Sequence, residues 1–258
     1  MPKICPAFSS SSGNCLYITY RDKVYLVDCG VSYTRMINAL AENGIQKEQI
    51  AAVFITHTHS DHVGGLNTLV KKLTVPLIGT QKTIDRLSDR LPPCRFYTVE
   101  DYDFTQEGIR VKNFATSHDC AGSCGYVFYI GEHKIGICTD LGVVTDEVKN
   151  ALCGCDVLYF ESNHDVTMLE KGVYPPELKR RILGAGGHLS NNACACALKY
   201  FVQNGTRFIM LGHLSKENNL PYLAQSAATA ALMEIGAKEG EDYTLYIAPD
   251  AGGQEFSF

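Results

Sequence analysis

The stretch HTHSDH (57–62) follows directly on the apolar run AAVFIT. Three imidazoles and one carboxylate within six residues are the nitrogen and oxygen ligands that zinc-like cations prefer. Because side chains alternate in an extended chain, His57 and His59 point to the same side and can share one ion. Asp61 and His62 then enter the following helix and can face a neighbouring ion. The alternative is a histidine-rich polar loop, which this density of ligand-type residues disfavours.

Three further ligand-type residues follow apolar runs elsewhere in the chain. His118 comes after RVKNFAT, Asp140 ends KIGICT, and His213 follows RFIMLG. One such residue at a strand end is usually a cap or a surface residue. Three of them beside the HTHSDH cluster indicate that several strands deliver side chains to one sheet edge. Asp140 has two carboxylate oxygens and is therefore suited to bridge two ions.

The word GHLS occurs twice, and its two histidines stand in different contexts. His213 follows a strand and joins the metal set, whereas His188 lies in GAGGHLSNN, between a glycine-rich turn and a helix. A helix N-terminus offers free N–H groups to an anion such as a phosphate. His188 is therefore predicted to contact substrate together with Ser190 and Asn191, and to act as a general acid. The alternative is a histidine in a helix-capping turn.

Two more polar residues are candidates for the site. Asp28, in VDCG, follows a strand and could hold a ligand or the water of a metal site by a hydrogen bond, as carboxylates near metal-bound histidines do. His164, in FESNHD, lies several residues past its strand. It is either a substrate contact or a residue of an exposed surface loop, with a weaker case as a metal ligand.

The composition is typical of a soluble globular protein. The 258 residues are 45% hydrophobic and 20% charged, and neither a signal peptide nor an apolar run able to span a bilayer is apparent. Eleven scattered cysteines then read as reduced thiols, which predicts a cytoplasmic protein without a membrane association.

A net charge of −5 excludes a protein basic over its whole surface but leaves room for a local basic groove. The run Lys179–Arg181 could track a nucleic-acid backbone or form the solvated face of a helix.

Strand-like and helical patterns alternate in two batches. The hairpin NCLYITY/KVYLVD, the strands AAVFIT and VPLIGT and the helices between them form the first batch. The middle of the chain is β-rich, from FTQEGIRVKNFAT (104–116) through GYVFYIGEHKIGICTD, and further strands and helices follow it. These batches predict one α/β domain over residues 1–258, a four-layer αββα sandwich of two sheets with helices outside.

With these residues in view, the chain resembles the metallo-β-lactamase-fold hydrolases, and more narrowly their YycJ/WalJ branch. The motifs SSGN, VDCG, HTHSDH, TSHD, TD, ESNHD, GHLSNN and LGHLSKENN stand in the family's order. The resemblance implies the αββα sandwich and a site for two divalent metal ions, zinc or manganese, with iron as a further candidate. It assigns one ion to His57, His59 and His118, the other to Asp61, His62 and His213, and both to Asp140. It also implies 5′-to-3′ exonuclease activity on double-stranded DNA.

Three hypotheses about function follow. In the first, a hydroxide shared by two cations attacks a DNA phosphodiester, with Asp61, His188 and Asp28 as catalytic residues. In the second, the same hydroxide cleaves a small ester, thioester, lactone or cyclic phosphodiester. In the third, the chain is a binding or regulatory protein that has lost activity. The predicted anion site in GHLSNN and His164 favour the first hypothesis over the second. The complete ligand set disfavours the third, and protein partners stay unknown.

Overall fold

The computed structural model describes residues 1–104 and 108–258, so that residues 105–107 of the predicted β-rich stretch 104–116 lie outside the described residues. The chain divides into two compact units. The first comprises Met1–Ile109, Cys120–Cys124 and Pro249–Phe258. The second comprises Arg110–Asp119 and Gly125–Ala248.

The two kinds of element alternate along the chain, as the sequence predicts. The strands are β1 (Lys3–Ser10), β2 (Gly13–Tyr20), β3 (Lys23–Val27), β4 (Ile50–Phe54), β5 (Leu77–Ile78), β6 (Phe96–Tyr97), β7 (Ile109–Ala115), β8 (Cys124–Ile130), β9 (His133–Cys138), β10 (Val157–Glu161), β11 (Phe208–Gly212), β12 (Thr244–Ile247) and β13 (Phe256–Ser257). The α-helices are α1 (Tyr33–Glu42), α2 (Ser60–Val63), α3 (Leu66–Lys72), α4 (Gln81–Ser88), α5 (Asp146–Leu152), α6 (Val166–Lys171), α7 (Pro176–Leu183), α8 (Asn191–Gln203) and α9 (Pro221–Glu234).

The first unit is built on a seven-stranded mixed sheet in the order β13-β1-β2-β3-β4-β5-β6. The strands β13, β1, β2 and β3 pair in antiparallel fashion, whereas β3, β4, β5 and β6 pair in parallel. The carboxyl ends of β3 and β4 therefore lie side by side at one edge of the sheet. Asp28 and HTHSDH follow these two ends.

The second unit is built on a six-stranded sheet in the order β12-β11-β10-β9-β8-β7. The strands β9, β10, β11 and β12 are parallel neighbours, and β8 joins β9 as an antiparallel hairpin. The carboxyl ends of β9, β10 and β11 therefore meet at one edge. Asp140, Glu161 and His213 stand at these three ends.

Each sheet buries apolar side chains against its own helices. In the first unit Met36 and Leu40 of α1 and Leu66 and Leu69 of α3 belong to one core with the strands. In the second unit the core includes side chains from α5, α8 and α9. Two mixed sheets, each with its own helices, agree with the predicted α/β architecture. Among the described residues, no helix is long and apolar enough to cross a bilayer.

The structure departs from the sequence pattern in two places. The sequence predicts one helix after HTHSDH, but α2 ends at Val63 and α3 begins at Leu66. Two glycines separate them, and a side chain at Gly65 would come within 2.2 Å of the Val31 carbonyl oxygen. The strand β1 has no counterpart in the prediction, because Pro6 lies inside it. The register of β1 against β2 shifts between Cys5 and Phe8, which accommodates that proline.

Candidate active site

In the first unit, Asp28 lies directly behind the HTHSDH segment. The backbone N–H of Asp28 donates to the Phe54 carbonyl at 2.8 Å, which fixes the turn after β3 against the end of β4. The Asp28 carboxylate is buried and accepts from the Thr56 backbone N–H at 2.9 Å and from the Thr56 hydroxyl at 2.8 Å. Thr56 is thereby held immediately before the first histidine of the segment.

The same carboxylate orients His62. Oδ2 of Asp28 lies 2.7 Å from Nδ1 of His62, whose side chain is buried. A carboxylate can only accept, so Nδ1 carries the proton and Nε2 keeps its lone pair for a cation. Of the two roles open to Asp28 from the sequence, these contacts are those of a residue that holds a ligand.

His57 and His59 present ring nitrogens to one another. The Thr56 hydroxyl donates to Asp28, so its oxygen accepts from Nδ1 of His57 at 3.0 Å. This leaves Nε2 of His57, which lies 3.0 Å from Nδ1 of His59. Ligand atoms on one cation are separated by roughly 3.0–3.4 Å when metal–nitrogen bonds are about 2.0–2.1 Å long. The pair therefore has the spacing that a shared ion requires.

In the second unit a buried carboxylate, Glu161, joins the two GHLS histidines. Its Oε1 lies 2.7 Å from Nδ1 of His213 and 3.0 Å from Nδ1 of His188. Its Oε2 accepts from the Leu189 N–H at 2.8 Å and the Leu141 N–H at 3.2 Å. Both imidazoles thus donate from Nδ1 and turn Nε2 away from Glu161. Glu161 holds the two loops in one arrangement.

The charges around Glu161 shift its pKa and that of His188. Burial alone would raise the pKa of Glu161, but the positive charges and N–H donors of His188 and His213 outweigh it and lower this pKa to about 2. Burial opposes protonation of His188, yet the Glu161 charge and hydrogen bond, with the charge of Asp140, raise the His188 pKa above its usual value. In the metal-free protein, Glu161 therefore favours the protonated form of His188, with which it pairs at 3.0 Å.

A hydrogen bond to the loop that carries His188 orients the ring of His118. Its Nδ1 donates to the Gly187 carbonyl at 3.1 Å, which leaves Nε2 3.7 Å from Oδ1 of Asp140. The Asp119 N–H donates to the Gly186 carbonyl at 2.9 Å. The loop before His188 and the TSHD loop are consequently held together.

Three candidate residues adopt a left-handed backbone conformation. Asp28, Asp140 and His213 have φ values of 63°, 58° and 55°. Each stands just after the carboxyl end of a parallel strand, β3, β9 or β11. A non-glycine residue held in this region costs about 1–3 kcal/mol and occurs most often at functional sites. The backbone therefore turns sharply at three equivalent points to project these side chains.

Other predicted substrate residues have partners within the protein. The Ser190 hydroxyl caps α8 by accepting from the Ala193 N–H. The Asn191 side chain is buried and shares hydrogen bonds with Ser162 and Asn219. Its backbone N–H donates to the His164 carbonyl. Fewer N–H groups at the start of α8 are therefore available to an anion than the sequence suggests.

His164 lies in the interior, with 1% of its surface exposed. Neither ring nitrogen has a hydrogen-bond partner among the described residues. Burial, only partly offset by the Glu161 charge, lowers the pKa of His164 to about 4. The imidazole is therefore neutral at pH 7. An exposed loop position, one of the sequence alternatives, does not describe it.

The basic run at the end of α7 is largely engaged in local contacts. Nζ of Lys179 donates to the Glu170 and Gly172 carbonyls, each at 2.7 Å. The Arg181 guanidinium pairs with both oxygens of Asp119. Arg181 thus stabilises the loop after His118, and Lys179 the end of α6. Of the three residues, the exposed Arg180 is left as a candidate phosphate contact.

Sequence reasoning missed three residues that organise the site. Glu161 was hidden because it is the last residue of β10, although its place at a strand end matches that of the other candidates. Thr56 precedes HTHSDH and reads as part of a strand. Asn14 ends the SSGN motif and is the second residue of β2. Its Nδ2 lies 3.3 Å from Oδ2 of Asp61 and 3.1 Å from Nε2 of His62.

The side chains of each unit fit divalent cations. In the second unit Asp140, Glu161, His188 and His213 bring ligand atoms within 4.8 Å of one another. In the first unit Nε2 of His62 lies 3.4 Å from Oδ2 of Asp61. Imidazole nitrogens with carboxylate oxygens suit zinc, manganese and iron. The second nitrogens of His62, His118 and His213 are held by carboxylates or a carbonyl, as expected of metal-binding histidines.

Comparison with known proteins agrees with the family resemblance that the sequence motifs carry. The family model described as Metallo-beta-lactamase superfamily matches residues 10–213. The chain therefore belongs to the metallo-β-lactamase superfamily, and it is a hydrolase of that fold. The fold class predicted from the sequence is confirmed.

Within the superfamily, the chain belongs to the YycJ/WalJ branch. It is 34% identical over 242 residues to "Exodeoxyribonuclease YycJ" of Bacillus anthracis, an alignment that covers 92% of either chain. It is also 34% identical over 249 residues to "Exodeoxyribonuclease WalJ" of Streptococcus pneumoniae, which covers 94% of this chain and 93% of the relative. Among solved structures, the metallo-beta-lactamase fold protein YhfI from Bacillus subtilis matches with a TM-score of 0.71 and 15% identity over 99% of both chains. That last likeness concerns the fold.

Proposed function

We propose that this protein is a metal-dependent phosphodiesterase that degrades double-stranded DNA from its 5′ ends. The observation that carries the proposal is the likeness, over more than nine-tenths of both chains, to relatives named exodeoxyribonucleases. The carboxylate and imidazole groups that such chemistry needs are held in place by hydrogen bonds in both units. A small ester, thioester, lactone or cyclic phosphodiester as substrate is the outcome that the experiment below must exclude.

The proposed site holds two divalent cations, zinc or manganese with iron as a further candidate. The assignment rests on the family's motif order. One ion is proposed at His57, His59 and His118, the other at Asp61, His62 and His213, with Asp140 at both. When bound, such ions polarise phosphoryl oxygens and lower the pKa of water towards neutrality. The hydrogen bonds described above fix which nitrogen of His62, His118 and His213 is left for a cation.

The protein's own residues supply the orientation and the proton. Asp28 keeps His62 in the tautomer that leaves Nε2 unprotonated. Protonated His188 keeps its Nδ1–H on Glu161 and presents Nε2–H to the departing oxygen of the phosphodiester, which is the role of a general acid. Asp61 is proposed both as a metal ligand and as a catalytic residue. His188 is the main proposed substrate contact, and Ser190, Asn191 and His164 are proposed as further substrate-binding residues.

A cytoplasmic location fits the proposed DNA substrate. All eleven cysteines are free thiols, which is the usual state in a reducing compartment.

The test uses a linear DNA duplex with 5′-phosphates and an internal label. The protein is loaded with manganese or zinc and its metal content is measured first. Metal-dependent release of nucleotides from the 5′ ends, reduced at least 100-fold in His188→Ala, is the expected result. A matched control is His133→Ala, because His133 begins β9 at the opposite end from Asp140.

A chromogenic ester and a chromogenic phosphodiester are assayed beside the duplex. Intact DNA together with rapid ester cleavage would replace the nuclease proposal with a small-molecule hydrolase. Protein that is fully loaded with metal yet inactive on every substrate would support a binding or regulatory role instead. Release of nucleotides from the 3′ ends would support nuclease activity but contradict the proposed 5′-to-3′ direction.

A further inference from the structure

Asn14 lies beside Asp61 and His62, which are proposed ligands of the same ion. It is the second residue of β2, and only 6% of its surface is exposed. Its backbone carbonyl accepts from the Gly30 N–H at 2.8 Å, which fixes it beside the turn after β3. A side chain at Gly30 would come within 1.6 Å of the Asp61 carbonyl oxygen, so that this corner admits only glycine there.

Three polar atoms form a small triangle at this corner. Nδ2 of Asn14 lies 3.1 Å from Nε2 of His62 and 3.3 Å from Oδ2 of Asp61. The third edge, from Nε2 of His62 to Oδ2 of Asp61, is 3.4 Å. Ligand atoms around one tetrahedral or octahedral cation are separated by roughly 3.0–3.4 Å at bond lengths near 2.1 Å. All three edges fall in that range.

The contacts of the Asn14 amide cannot survive metal binding as they stand. Nδ1 of His62 donates to Asp28, so Nε2 of His62 accepts from the Asn14 amino group. A cation on Nε2 of His62 and Oδ2 of Asp61 takes the lone pairs to which Asn14 donates. The N–H groups of Asn14 would then point at a positive charge.

A half-turn of the amide resolves this conflict. Oδ1 of Asn14 is buried and has no hydrogen-bond partner among the described residues. Rotation about the Cβ–Cγ bond breaks no bond of Oδ1 and exchanges the amino group for a carbonyl oxygen. Besides the two ligand contacts, it gives up one long hydrogen bond, from Nδ2 to the Asp61 backbone carbonyl at 3.4 Å. An amide oxygen is a hard ligand of the kind that manganese accepts readily.

From this geometry we propose that Asn14 is a ligand of the ion held by Asp61 and His62, through its side-chain oxygen. The inference rests on the proposed function, because it concerns one of the two proposed ions. In the metal-free protein the amide donates to the two ligands and keeps them in place. On metal binding it turns and completes the coordination.

The test measures metal affinity in the absence of DNA. Manganese and zinc are titrated against a competing chelator for the wild type, Asn14→Ala and Asn14→Asp. Loss of the oxygen in Asn14→Ala is expected to weaken manganese binding at one ion by about 10–100-fold. Asn14→Asp keeps an oxygen and adds a charge, so it should bind manganese as tightly as the wild type or more tightly. Asn43→Ala, which removes an exposed hydrogen bond to Ala39, serves as the matched control.

Two results would overturn the inference. Binding in Asn14→Asp that is as weak as in Asn14→Ala would show that an oxygen at this position does not bind the ion. Unchanged affinity in Asn14→Ala would also exclude a ligand. A crystal structure of the manganese-loaded wild type tests the point without a variant: Oδ1 within about 2.3 Å of the ion is expected, and an amino group still facing Asp61 contradicts it.

These outcomes are separable from a failure of the proposed function. A wild type that binds no ion would overturn both proposals together. Tight binding of two ions in the wild type without digestion of DNA would overturn the nuclease alone. Digestion of DNA with unchanged affinity in Asn14→Ala would overturn the inference alone.

Discussion

Nδ1 of His213 and Oε1 of Glu161 are 2.7 Å apart, and neither side chain is more than 2% exposed. His213 follows β11 and Glu161 ends β10, so the contact joins the carboxyl ends of two neighbouring parallel strands. Because Oε1 also accepts from His188, one carboxylate sets the ring orientation of both GHLS histidines.

Glu161→Gln should disable both histidines at once. Glutamine is neutral, and it turns an amino group towards N–H donors such as that of Leu189. We expect metal affinity to fall about 10–100-fold and the free energy of unfolding to fall by about 1–3 kcal/mol. Metal content after dialysis and urea denaturation measure the two effects.

Glu147→Gln is the control, since Glu147 accepts a single N–H, that of Ala115, at the surface. Full metal content and normal activity in Glu161→Gln would contradict the role assigned to this carboxylate.

Asp28→Asn should disturb His62 without a large loss of fold. The Asn amide can still accept from Thr56, but it no longer attracts the Nδ1 proton of His62 with a full charge. His62 then exchanges freely between tautomers, and we expect metal affinity to fall about 10–100-fold. Chelator competition measures this change. Equal affinities in the variant and the wild type would show that Asp28 does not set the tautomer.

The positions of most candidate residues follow from the sequence because strand ends are readable there. Asp140, His118 and His213 each follow an apolar run, and parallel pairing through β10 brings the ends that carry Asp140 and His213 together. The same reasoning cannot find Glu161, which belongs to the apolar run itself. Its role depends on the pairing of β10 with β9 and β11, which places Glu161 beside His213. It also depends on the loop before α8, which brings Nδ1 of His188 to 3.0 Å from Oε1 of Glu161.

Backbone conformation is the other part that the sequence does not reveal. Nothing in VDCG, TD or GHLS indicates that Asp28, Asp140 and His213 adopt positive φ. Long-range contacts impose these turns, such as the hydrogen bond from the Asp28 N–H to Phe54. The role of Asn14 was hidden for a similar reason, because its partner Asp61 lies 47 residues away.

Gly142→Ala should misplace the His188 loop. A side chain at Gly142 would come within 2.4 Å of the carbonyl oxygens of both Gly184 and Ala185, so the loop must shift. We expect kcat to fall by about 10–100-fold, because a displacement near 1 Å has that effect on catalysis. Metal content should stay within twofold of the wild type.

Gly131→Ala is the matched control, since that turn has open space around it and only its φ of 61° opposes a side chain. Equal kcat values for the two variants would show that the Gly142 contact does not position the loop.

Thiol labelling should separate buried from exposed cysteines. Burial raises the pKa of Cys155 to about 12, and it raises that of Cys194 further still. The thiolate, which is the reactive form, is therefore scarce at pH 8, and both sulfurs are shielded from solvent. Cys196 is exposed and should react within minutes with iodoacetamide. Peptide mass spectrometry of native and urea-unfolded protein checks the order of reaction, and early modification of Cys194 would contradict the buried packing of α8.

His164 should make the metal-free protein sensitive to mild acid. Its folded pKa of about 4 lies below the ordinary value of 6.5, so the unfolded chain binds the proton first. The stability due to neutral His164 is fully present above pH 6.5 and is lost as the pH falls towards 4, by on the order of 3 kcal/mol. His164→Phe removes this titration and should flatten the decline in that window. Urea denaturation at pH 7, 6, 5 and 4 measures it, and parallel curves for variant and wild type would show that His164 does not titrate as its burial predicts.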